Sequence, residues 1–159
     1  MLLSRYQVLA RRERDAERLE RSAYLLLSRI ETQGPMSIGQ LAEAFGLDTS
    51  TVNRQTAALL RCGLAERVAD PDGGMARKLR ITAEGGRRLA GDREVNRSCL
   101  AQVVADWSPE EVRQLEDALV RLNRSAEALE GRYWPRTEEA DAQAVCHPPT
   151  GQESVPRAT

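Results

Sequence analysis

Nucleophilic and acid–base catalysis need a small set of side chains brought together, and this sequence is poor in them. Its single histidine, His147, stands beside Cys146 in a Pro-rich C-terminal stretch, and the other two cysteines, Cys62 and Cys99, are far away in sequence. A Ser-His-Asp or Cys-His arrangement would have to draw on that tail histidine, no phosphate-cradling glycine motif is present, and no paired-carboxylate arrangement stands out. Three cysteines without a C-x-x-C pair fall short of the about four ligands at regular spacing that a zinc site requires. The sequence therefore points to a protein that is not an enzyme, with no cofactor and no metal, and with cysteines that stay reduced and unpaired.

The residues that can do chemistry of another kind lie between Thr49 and Cys62. A helix is predicted there, with Asp48 placed to cap it. At 100° per residue, Val52, Thr56 and Leu59 fall on one side, with Leu60 at its edge, and Ser50, Asn53, Arg54, Ala57 and Arg61 fall on the other. A solvated helix face ordinarily carries Glu and Lys, yet Thr49–Arg61 holds no acid at all. Arg can bond guanine O6 and N7 together, Asn can do the same for adenine, and small residues permit close approach to a major groove. The N-terminal end of such a helix also offers free N–H groups to a phosphate.

The elements around this helix fit that use. Met1–Arg12 and about Asp15–Thr32 carry apolar residues at helical spacing, and Gln33-Gly34-Pro35 stops the second of these. Ser37-Ile38-Gly39-Gln40 has the form of a capping box opening a short helix that Gly46 closes. Two short helices joined by a glycine turn make a helix-turn-helix. Leu64–Val68 and Arg77–Ile81 read as paired strands around the turn Asp70-Pro71-Asp72-Gly73-Gly74. On this hairpin Arg77 or Lys78, the sole lysine, is expected to touch a phosphate or the minor groove; alternation would point Lys78 and Arg80 together and Arg77 away. Thr82 caps a long helix, about Ala83 to Asp106, and Ser108-Pro109-Glu110-Glu111 starts another that extends to about Tyr133. From Pro135 to Thr159 there is no periodicity, and a disordered tail is expected.

Composition sets the outer bounds. Of 159 residues, 41% are hydrophobic and 30% charged, enough for one compact domain. No apolar run approaches the ~20 residues of a membrane span and no leader pattern is evident, so a cytoplasmic protein without a membrane partner is expected. The net charge is −1 overall, but the acids Glu138, Glu139, Asp141 and Glu153 of the tail face only Arg157. Affinity for nucleic acid must then come from where charge sits and not from its total.

Several segments resemble the MarR family of bacterial regulators. They are Gly34-Pro35-Met36-Ser37, Leu41 to Asp48, Ser50-Thr51-Val52-Asn53-Arg54, Cys62 to Arg67, Asp70 to Gly74, Leu79 to Gly85 and Ser108-Pro109-Glu110-Glu111. They follow one another in the family's order over about residues 15 to 130. The resemblance implies a mainly α winged helix-turn-helix with a two-stranded β-hairpin wing and terminal helices forming a dimerisation region. Residues 1–134 would be a single domain (winged helix-turn-helix about 33–82, dimerisation helices about 1–14 and 83–134), with 135–159 as tail. It further implies a homodimer that represses transcription at a pseudo-palindromic site in double-stranded DNA, and a small lipophilic or phenolic effector as a further partner. Position by position, Ser50, Thr51, Asn53, Arg54 and Gln55 become the DNA-reading residues, joined by Arg77 and Lys78 on the wing. One departure stands out: where the family usually has an arginine close behind the wing-tip Asp, Asp72 is followed by Gly73-Gly74-Met75-Ala76, leaving Arg77 as the substitute. The apolar stripes of the long helices (Leu100, Val103, Val104 and Trp107, then Leu115, Leu119 and Leu122) exceed what so small a lobe can cover, which independently favours a twofold partner. The competing reading is a winged helix that binds protein instead of DNA.

Overall fold

The computed structural model describes residues 18–71 and 73–136. The helix expected over Met1–Arg12, the wing-tip Asp72, Cys146, His147 and the tail beyond residue 136 lie outside the described residues. Within them the order is α1 (Arg21–Gln33), α2 (Ile38–Phe45), α3 (Thr49–Arg61), β1 (Ala65–Val68), β2 (Lys78–Ile81), α4 (Ala83–Val103) and α5 (Pro109–Glu130).

Local signals set most of these boundaries. Gly34 ends α1 at φ 83°. Ser37 and Gln40 form the expected box: the Gln40 N–H donates to Ser37 Oγ at 3.2 Å and the Ser37 N–H to Gln40 Oε1 at 2.8 Å. Gly46 takes the left-handed conformation (φ 61°, ψ 38°) that closes a helix. Ser108 and Glu111 repeat the box at α5, with Pro109 in its first turn. Asp48 does occupy the N-cap of α3, but its side chain makes no capping bond. Its carbonyl instead accepts from Thr51 and Val52, at 3.0 and 3.1 Å, and the carboxylate is left in solvent.

β1 and β2 pair antiparallel, Ala65 opposite Ile81 and Val68 opposite Lys78. Leu64, expected in the first strand, lies just before it, its N–H donating 2.9 Å to the Leu59 carbonyl as the chain leaves α3. A connection not anticipated from the sequence ties the segment before α2 to this hairpin: Met36 and Leu79 exchange both backbone bonds, at 3.0 and 2.7 Å. Thr82 locks the start of α4, accepting from the Gly85 N–H at 3.1 Å while donating to the Gly63 carbonyl at 2.7 Å. Gly85 must be glycine on steric grounds, since a Cβ there would overlap the backbone oxygen of Leu64.

The core consists of Leu26, Leu27 and Ile30 of α1, Leu41 and Ala42 of α2, Val52 and Leu59 of α3, Leu79 of β2 and Leu89 of α4, together with Met36, Leu64 and Ala65. It ends there. Asp92 is the last buried residue of α4, and α5 buries none.

Candidate nucleic-acid interface

The inward side of α3 holds the helix against the core. Val52, Thr56 and Leu59 are buried, and Thr56 Oγ1 donates to the Asn53 carbonyl at 3.1 Å, which satisfies its hydroxyl inside the lobe. Because the helix has a period of 3.6 residues, burying those three turns the opposite side out. Ser50, Asn53, Arg54 and Arg61 are exposed, and Thr51 and Gln55 are half-buried at the margins of that face.

Most arginines among the described residues are engaged. Arg80 bonds Glu66 across the hairpin at 2.8 Å, Arg97 bonds Glu94 at 2.8 Å, Arg93 reaches Glu31 at 2.6 Å, and Glu84 takes both Arg87 and Arg88. Arg88 is the first cause, and Arg87 a further one, holding the Glu84 carboxyl below its ordinary range. Arg54, Arg61 and Arg77 have no ionic partner among the described residues. An arginine left unpaired beside an acid-free surface keeps its five donors available, which is what bidentate recognition of a base edge or phosphate needs.

The hairpin separates the two wing candidates. Arg77 is exposed just before β2. Lys78 is only 8% exposed, with its Nζ 2.6 Å from Asp70 Oδ1. Expected at the DNA surface, Lys78 is instead folded inward: its stem is buried beside Leu79, and the loop carboxylate meets its ammonium. Gly74 makes room for that carboxylate, which a Cβ at this position would overlap. The expected pairing of directions changes as well, since Lys78 is turned in while Arg80 is exposed. Met75, near the tip, is fully exposed.

Sequence reasoning passed over one cluster. Arg29 sits on the inward side of α1 and is 7% exposed. It lies 5.0 Å from the Trp134 ring centroid, donates from Nη1 to the Tyr133 carbonyl at 3.1 Å and from Nε to Gln33 Oε1 at 2.7 Å. Burial pulls its pKa below the ordinary value, and Glu127 pulls it back. The available signal was weak: an arginine one turn beyond Leu25 and Leu26, at the edge of the apolar stripe of α1. Pro135 and Arg136, assigned to the disordered tail, are half-buried beside this cluster.

Two short helices joined by a left-handed glycine, a second helix with an open acid-free face, and a β-hairpin behind it define a winged helix-turn-helix. The comparisons with known proteins agree. The MarR family model matches residues 19–73. An uncharacterized HTH-type transcriptional regulator of Bacillus subtilis (strain 168), YxaD, is 36% identical over 113 residues, covering 71% of this chain and 79% of that protein. A MarR family protein from Bacillus stearothermophilus superimposes with a TM-score of 0.70 at 22% identity, over 79% of this chain and 87% of that one. The PcaV transcriptional regulator of Streptomyces coelicolor, solved with its natural ligand, gives 0.59 at 25% identity, over 79% and 89%. The chain belongs to the MarR family of transcriptional regulators, and this family and these relatives are regulators, not enzymes. Among the described residues no helix is long and apolar enough to cross a membrane.

Proposed function

We propose that this chain works in the cytoplasm as a homodimer that binds a pseudo-palindromic operator in double-stranded DNA and represses transcription there. The observation that carries the reading is the outer face of α3, exposed, acid-free and set with unpaired arginines. Laid in the major groove, Arg54 reads guanine and Asn53 reads adenine. Ser50 and Thr51, in the first turn, approach a phosphate together with the free N–H groups of the helix end, and Gln55 supports them from the margin. Arg77 takes a flanking phosphate or the minor groove. Lys78, already held by Asp70, stiffens the hairpin from inside and is not a DNA contact.

The second copy follows from uncovered apolar surface. Leu122 is 58% exposed and Trp107, in the turn between α4 and α5, 43%, with Leu100, Val103, Val112 and Leu119 exposed along those two helices. A monomer seldom leaves such a row in water, and a twofold partner would cover it while setting two copies of α3 roughly 34 Å apart, one turn of DNA. A largely apolar cleft of about 290 Å³ lined by Leu25, Leu26, Phe45 and Leu47, together with Arg21 and Gln55, suits a small lipophilic or phenolic effector. Such a ligand relieves repression by binding one spacing of the reading helices better than the other.

Selection of bound fragments from random DNA tests the whole reading. The recovered site should be a pseudo-palindrome with half-sites about one turn apart. Affinity for it should fall steeply with salt, about 10³-fold between 50 and 200 mM for some six phosphate contacts. Arg54→Ala should flatten one position in each half-site, costing about 1–3 kcal/mol of discrimination, while the dimer stays intact. A pool that shows no enrichment would return the fold to the role of a protein-binding module.

A further inference from the structure

The chain does not run off into solvent after α5. Gly131 (φ 66°) turns it back, and residues 132–136 lie along the helix-turn-helix. Trp134 meets Phe45, the last residue of α2, edge-on, with centroids 5.8 Å apart and rings at 62°. Its ring also faces the buried Arg29 guanidinium at 5.0 Å. The Arg132 guanidinium packs over Gly46, where a Cβ would overlap it. Arg136 donates to Glu127 Oε1 at 2.8 Å, which fastens the strap to the last turns of α5. Phe45 and Gly46 form the turn that aims α3, so this segment joins the end of α5 to the element that sets the direction of the reading helix.

We propose that residues 132–136 are a strap in which Trp134 and Arg29 act as positioning residues for DNA recognition, fixing the angle between the reading lobe and the long helices and thereby selecting the spacing of half-sites. This rests on the dimeric DNA-binding reading above. Which bases are read depends on the side chains of α3. Which spacing is accepted depends on how rigidly each lobe is held against the pair of long helices, because one inserted base pair both separates and rotates the half-sites. Arg29 makes the hold firm: a guanidinium buried in an apolar lobe loses its ring and its Tyr133 carbonyl together if the strap leaves, and a buried charge tolerates that poorly.

The test measures affinity of the full chain for the selected operator and for the same operator with one central base pair inserted. For wild type the insertion should carry a large penalty. In Trp134→Ala that penalty should shrink by about tenfold, within the range of ordinary coupling between sites, while preference within a half-site is kept and Trp134→Phe restores the wild-type penalty. Arg29→Met keeps the volume, removes the cation from the ring and makes the same measurement without emptying the Trp134 site. Equal weakening on both operators, or no change on either, would overturn the strap. Amide exchange at Gly46 and Leu47 in the free protein gives a readout without DNA: it should speed up in Trp134→Ala, and unaltered exchange also overturns the proposal. Absence of sequence-specific binding by wild type would overturn the underlying DNA reading, and is seen before any variant is made.

Discussion

The lobe from Leu26 to Leu89 and the arm made of the rest of α4 with α5 are written in the same code and end differently. Both place leucines at helical spacing. In the lobe, Leu27, Leu41 and Leu89 have no measurable exposure, whereas in the arm Leu122 and Leu129 are 58% and 90% exposed. α4 belongs to both regions, burying Gly85, Leu89 and Asp92 and nothing further along. An amphipathic pattern announces that a stripe needs cover without naming what covers it. The lobe supplies its own cover from six elements of one chain; the arm has no such neighbour among the described residues, and its stripe stays exposed.

The sharpest way to break this contrast is to charge the arm. Leu119→Asp with Leu122→Asp should abolish the dimer at micromolar concentration, read by sedimentation. DNA affinity should fall at least about hundredfold, because two linked half-site contacts become independent ones. Circular dichroism should still report a folded lobe. A double variant that sediments as the wild type would show that the exposed row is not the contact between copies.

A smaller effect separates the two regions thermodynamically. Leu59→Ala empties a site in the closed core and should cost about 2–5 kcal/mol, lowering Tm by the same amount at every protein concentration. Leu122→Ala should cost less, and its Tm deficit should shrink as concentration rises, since mass action restores an interface but not a core. A concentration-dependent deficit for Leu59→Ala would remove the distinction between the regions.

What was legible in the sequence follows the range of the interaction. Ser37 with Gln40, Ser108 with Glu111 and Thr82 with Gly85 are three-residue devices, and each reads out as written. The buried and open sides of α3 were equally plain, because period alone separates Val52, Thr56 and Leu59 from Ser50, Asn53 and Arg54. Asp48 stands where a cap should stand yet its side chain makes no capping bond, which residue type alone does not reveal. The Met36–Leu79 bridge, the Lys78–Asp70 pair and the Arg29–Trp134 contact join residues that the chain brings together only after folding. For Lys78 the strand alternation was known, but not that the loop would fold Asp70 over it. Arg29 gave only a weak signal, a charge at the edge of the apolar stripe of α1 one turn beyond Leu25 and Leu26.

The smallest effects belong to the wing, where two neighbouring cations divide the roles that separate lobe from surface. Arg77→Ala removes an exposed side chain without a described ionic partner, so stability should stay within about 0.5 kcal/mol of wild type. Binding should weaken evenly across DNA sequences, and the slope of log affinity against log salt should fall by about 1, the signature of one lost phosphate contact. Lys78→Met keeps the buried stem and removes the ammonium from Asp70, so it should cost about 1 kcal/mol of stability and leave the salt slope where it was. Thermal melts and salt titrations of the two variants side by side decide the matter. If Lys78→Met lowers the slope while Arg77→Ala does not, the hairpin opens on DNA, Asp70 releases its partner, and the inward lysine becomes the contact.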